Sequence, residues 1–178
     1  MQPEKRRPKI TRIIITSRGG SKGLLRCGAI MIECALGRSG LVHRKREGDG
    51  GTPTGRFRLL SRCFRADRGP FPRCRIAGTP ITKNSGWCDD PDHAAYNRAV
   101  KLPFAGRHEV LWREDSVYDV IFVMDHNIQP RMKKGGSAIF FHIAQDSLTP
   151  TEGCIAIRPK EMRRLMPLLS KHTIIEVQ

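Results

Sequence analysis

The chain is poor in several features that would have settled its class at once. No apolar run approaches the roughly 20 residues a bilayer-spanning helix needs, so no membrane span is readable. Six cysteines (Cys27, Cys34, Cys63, Cys74, Cys88, Cys154) include no C-x-x-C pair, and six histidines include no H-x-x-x-H pair. That spacing argues against a structural or catalytic metal, and no metal is expected. Aromatic residues make up only 6% of the sequence, too few for a single-strand nucleic-acid binder built on base stacking. The opening MQPEKRRPK has the charge of a secretory n-region, but Ile13-Ile14-Ile15 is far too short for an h-region. Read alone, this predicts a cytoplasmic protein. No internal repeat is present.

What is present is charge and an ordinary core. The chain has 178 residues, with 32 Lys+Arg against 17 Asp+Glu, a formal net charge of +15. At 39% apolar residues it carries enough Ile, Leu, Val and Phe to fold, and its length suits one domain. The positive surplus predicts an anionic partner. Nucleic acid, wall polymer, anionic lipid and carboxylate-rich peptide all satisfy it. Most cysteines read as reduced core residues.

Residues 1–9 read as a flexible basic arm, and residues 10–178 as a single domain. Strands are predicted at Lys9–Thr16, Ala29–Leu36, Arg56–Ser61, Tyr118–Met124, Ser137–Ile143, Ile155–Ile157 and Thr173–Val177, from β-branched runs and period-2 alternation. Arg44–Gly55 is a loop by its turn residues. Residues 62–116, rich in Pro, Gly, Asp and Arg, read as one irregular insert of functional use. The single helix runs from Pro159 to Ser170, with Pro159 suited to its first position and Pro167 set to kink or end it. Many strands and one helix predict a mainly β domain, a sandwich or partial barrel.

The sharpest chemical signal is HIAQDSLTPTEGCIAIRP. His142 falls within a strand. Cys154 follows twelve residues later at the turn Thr151-Glu152-Gly153. An imidazole within reach could take the thiol proton and leave the nucleophilic thiolate, and Gly153 would let the backbone turn its N–H groups toward a developing oxyanion. Spacing alone equally allows a core histidine and a small buried hydrophobe.

Gly48–Phe57, GDGGTPTGRF, adds a second motif. With the later T-x-G-C-I it resembles the L,D-transpeptidase (YkuD) family of peptidoglycan enzymes. Those proteins carry T-P-x-G-x-F early, and late a histidine followed by [S/T]-x-G-C-[V/I]. The resemblance covers roughly residues 10–178 and implies Cys154 as nucleophile, His142 as general base, and Gly153 and Cys154 amides as oxyanion hole. Thr151 would shape the turn, and Thr52, Pro53, Thr54 and Gly55 a structural one. The implied reaction is acyl transfer on peptidoglycan stem peptides through a cysteine thioester, without metal or organic cofactor. An amine acceptor gives an L,D-type cross-link; water gives an L,D-carboxypeptidase. The family implies the periplasm or cell envelope, against the cytoplasmic reading above. Nucleic acid becomes the less favoured partner, although a non-catalytic basic binding module stays open.

The sequence also departs from the family pattern. Glu152 stands where a histidine is usual, and Ala156 where Arg or Asn is usual. Arg158 is the nearest positive charge and a candidate for a substrate carboxylate. The insert GWCDDPDHAAYNRAV resembles that of a small proteobacterial subgroup and makes Asp89, Asp90, Tyr96, Asn97 and Arg98 candidate pocket residues.

Overall fold

Alternation decides most of the architecture. In the computed structural model, which describes residues 9–178, Ile13 and Ile15 of the first strand are fully buried while Arg12 and Ser17 are exposed. The strands in chain order are β1 (Arg12–Ser17), β2 (Lys22–Cys27), β3 (Ile30–Ala35), β4 (Leu41–Val42), β5 (Thr52–Pro53), β6 (Gly55–Phe64), β7 (Gly78–Pro80), β8 (Ser85–Cys88), β9 (Arg98–Lys101), β10 (His108–Val110), β11 (Val120–Met124), β12 (Phe140–Ile143), β13 (Ile155–Ile157) and β14 (Ile174–Val177). The basic arm lies outside the described residues, apart from Lys9.

Eight of these strands close a mixed barrel in the order β11-β12-β13-β3-β2-β1-β14-β6, and β6 returns to pair with β11. Closure removes the free edges that an open sheet would present. The ten-residue β6 makes it possible: Gly55–Arg58 pair with β14, and Leu59–Phe64 pair with β11. β1–β14 and β12–β13 run parallel. The mainly β prediction is right, in its barrel form. β2 escaped prediction because Gly19, Gly20, Gly23 and flanking charges hide its alternation. Gly23 is required there, since a Cβ would lie 2.8 Å from Cys34 Sγ.

The α-helix, α1 (Pro159–Leu165), buries Met162 and Leu165 in the barrel core. It stops before Pro167, and a 3-10 turn (Met166–Leu168) completes the segment. Proline has no N–H to continue the ladder and its ring crowds the preceding turn.

The segment 62–116 is less irregular than its sequence suggests. It holds β7 and a separate antiparallel sheet, β10-β8-β9. These strands have three or four residues each, too short to display a period. The sheet packs on the outside of the barrel wall, which explains why β11 reads as an unbroken apolar run. Val120, Phe122 and Met124 face the barrel core, whereas Ile121 and Val123 join Trp87, Leu111 and Phe140 beneath the insert. A strand covered on both faces has no polar side.

Candidate active site

The same alternation places the chemistry. On β12, Phe141 and Ile143 point into the barrel, so Phe140 and His142 point out under the insert. β13 lies beside it in parallel register, His142 opposite Ala156. Cys154 enters β13 from the turn and belongs to the insert-side cluster with Phe140, Ala138 and Trp87. His142 and Cys154 therefore line one cavity of about 670 Å³, outside the barrel and under the small sheet.

The turn that carries the thiol is tightly held. Gly153 has φ +138°, and a Cβ there would lie 2.8 Å from Gly51 O. Thr151 Oγ1 donates to Cys154 O (2.7 Å) and accepts the Gly153 N–H (3.2 Å). Thr52 Oγ1 accepts the Gly37 N–H (2.8 Å) and donates to Cys154 O (3.4 Å). The T-P-x-G turn thus braces the cysteine loop from behind, the structural role expected of it. The expected role of Gly153 is modified, however. Its amide is held by Thr151 in this structure, so its visible contribution is the turn itself.

Cys154 is 7% exposed. Its Sγ donates to Ala138 O (3.1 Å) and accepts from the Phe140 N–H (3.4 Å). Burial pushes the thiol up to about 12, and the charge of Glu109 acts the same way, whereas the Phe140 N–H and Lys45 oppose it. His142 Nδ1 faces two carbonyl oxygens, Ile143 (2.8 Å) and Val117 (3.2 Å). Both are acceptors, so Nδ1 carries the proton and Nε2 is the basic nitrogen. Burial lowers the imidazole to about 4, outweighing those two bonds. The resting pair is therefore neutral thiol and neutral imidazole.

Residues 17–177 match the L,D-transpeptidase catalytic domain (YkuD). The chain belongs to this family. No curated protein and no solved structure gives a match. Membership covers nearly the whole chain of this YkuD protein and makes an L,D-transpeptidase enzyme, with peptidoglycan peptides as partners, the family-level reading.

The other sequence candidates divide. Thr151 lines the cavity. Arg158 does not: it stands at the N-cap position of α1 with its side chain turned to other partners, pairing with Glu33 (3.1 Å) and donating to Asp146 O. Its helix-flanking position decides this, because β13 ends at Ile157 and α1 starts at Pro159. Arg98 sits exposed on β9, away from the cavity lining. Tyr96 is buried behind the lining and donates its hydroxyl to Glu47, which does line the cavity. Asn97 is also buried. Its Oδ1 accepts from Trp87 Nε1 and from the Ala138 N–H (both 3.0 Å), and its Nδ2 donates to the carbonyls of His126 and Asn127. All its bonds are spent within the protein, and it acts behind the site by holding Ala138, whose carbonyl accepts the thiol's hydrogen bond.

Several cavity residues had no readable signal. Glu109 sits in the three-residue β10, and Lys45 and Glu47 lie in a loop. Tyr118 opens what reads as a core strand, yet its ring stands edge-on to His142, with centroids 5.2 Å apart, and its hydroxyl donates to Glu109 (2.8 Å).

Proposed function

We propose that this protein is a cysteine acyltransferase that acts on peptidoglycan stem peptides and forms an L,D-type cross-link through a thioester on Cys154. The observation that carries this reading is the shared cavity: a thiol and a basic imidazole line one pocket within the family's catalytic domain.

Substrate entry brings an L,D-peptide carbonyl against Sγ. The thiol swings from Ala138 O toward His142 Nε2, gives up its proton and attacks the carbonyl carbon. Because burial disfavours both charged forms, proton transfer and attack are concerted within the complex. The oxyanion is received at the Gly153–Cys154 turn, with the Cys154 N–H as donor. Imidazolium protonates the leaving amine, and the thioester remains until an acceptor amine resolves it. Basic side chains at the cavity, Lys45, Arg107 and Arg113, suit stems that carry carboxylates. By family resemblance, the periplasm or cell envelope is the proposed place of work.

The test is intact-protein mass spectrometry after incubation with tetra- and pentapeptide stems. A thioester adduct on the wild type that is absent from Cys154→Ala is the expected result. No adduct and no product with either stem overturns the reading. Products released only to water, with amine acceptors present, would make the enzyme a carboxypeptidase. Binding that falls steeply with salt and is indifferent to Cys154→Ala would make it a basic binding module.

A further inference from the structure

Five carboxylates line the cavity: Glu47, Asp89, Glu109, Asp115 and Glu152. Four have a guanidinium within ion-pair range. Arg107 serves Glu47 (3.8 Å) and Asp89 (3.1 Å), Arg113 serves Asp115 (2.6 Å), and Arg38 serves Glu152 (2.9 Å). Glu109 has none among the described residues, in a chain whose cations outnumber its anions nearly two to one. Its one hydrogen bond comes from Tyr118, to Oε2, leaving Oε1 without a protein donor. Glu109 is half-buried, and a carboxylate partly withdrawn from water without a cation is costly unless something else supplies one.

Its position says what that cation would be. The Glu109 carboxylate lines the same cavity as Cys154, and the Tyr118 that binds it also touches His142. We infer that Glu109 is the acceptor site's base: it binds the ammonium group of the incoming amine and takes its first proton. This rests on the acyl-transfer reading above. A protonated amine has no lone pair to attack a thioester, so an enzyme that resolves thioesters with amines must remove that proton. The groups facing Glu109 are Tyr118, Arg113, Asp89 and Glu47, and burial raises its carboxyl above the usual carboxylate range, toward a proton-accepting role.

The step balances as follows. R–NH3+ gives one proton to Glu109 and becomes R–NH2. Its lone pair attacks the thioester carbon, the C–N bond forms and the C–S bond breaks. The second nitrogen proton passes to His142 Nε2 and from there to the departing Cys154 thiolate. The products are an amide, a neutral thiol and a neutral imidazole, and Glu109 later releases its proton to water.

The two half-reactions can be measured apart. Thioester is formed with a tetrapeptide stem and followed by mass spectrometry, then challenged with a tripeptide stem bearing a free side-chain amine, from pH 6 to 9. Adduct formation by Glu109→Gln shows that the variant folds and acylates. In that variant the ratio of aminolysis to hydrolysis is expected to fall about 100-fold, and the remaining aminolysis to rise with pH as free amine becomes available. Glu109→Asp should recover part of the ratio. Equal ratios and equal pH dependence in wild type and Glu109→Gln would overturn the inference while leaving the thioester mechanism standing. No thioester in the wild type, or a thioester resolved only by water, would overturn it together with the transferase reading.

Discussion

The thiol of Cys154 gives its hydrogen bond to the carbonyl oxygen of Ala138, 3.1 Å away. Ala138 sits at φ +52°, a conformation uncommon for a residue with a Cβ, and Asn97 fixes it there by accepting its N–H. The nucleophile is thus parked, uncharged, on a backbone that a residue of the insert holds in place.

A parked neutral thiol should alkylate slowly near neutrality. The difference in iodoacetamide labelling between wild type and Cys154→Ala isolates this thiol from the other five. Labelling is expected to climb continuously from pH 6 to beyond 9, since the thiol lies near 12. A plateau across that range would mean a preformed thiolate–imidazolium pair, contrary to the structure.

Asn97→Ala removes the acceptor of two buried N–H groups, those of Trp87 and Ala138. The expected loss is roughly 2–4 kcal/mol of stability, read by urea denaturation. Acylation should also slow, with the change in kcat rather than KM. An unaltered kcat in folded protein would mean that Ala138 keeps its place unaided.

Gly153→Ala is expected to be inactive and less stable. The added Cβ would meet Gly51 O at 2.8 Å in a backbone at φ +138°. Strain of this kind costs about 1–3 kcal/mol. A melting temperature and acylation rate like those of the wild type would refute the requirement for glycine.

His142 makes stability fall in acid. Its folded value is lowered from 6.5 to about 4, so between those values the unfolded chain binds more protons. Stability is therefore fully present above about pH 6.5 and is lost as pH falls toward 4, by roughly 3 kcal/mol. Urea titrations at pH 7, 5.5 and 4.5 should show this slope flattened in His142→Gln.

Arg158→Ala should change turnover less than about twofold and stability by under about 1 kcal/mol, because its partner Glu33 is exposed. A selective rise in KM would instead return Arg158 to the substrate site.

How much was legible follows from the range over which each signal acts. Period-2 alternation and β-branched runs fixed seven strands to within a few residues, and Pro167 announced the end of α1. His142, Cys154, the Thr151–Gly153 turn and the T-P-x-G turn stood in the sequence as local motifs. These depend on neighbours in the chain. Tertiary packing decided the rest. The short strands of the insert show no period, so only their pairing reveals that they cover β11 and β12 and wall the cavity. Asn97 was a candidate through the insert's resemblance and Arg158 as the nearest positive charge; long-range partners sent one behind the site and the other away from it. Glu109 gave no signal at all. What distinguishes it is the missing cation, and apart from the local pair of Asp115 with Arg113, the cavity's other carboxylates meet their arginines only once the fold has brought distant residues together.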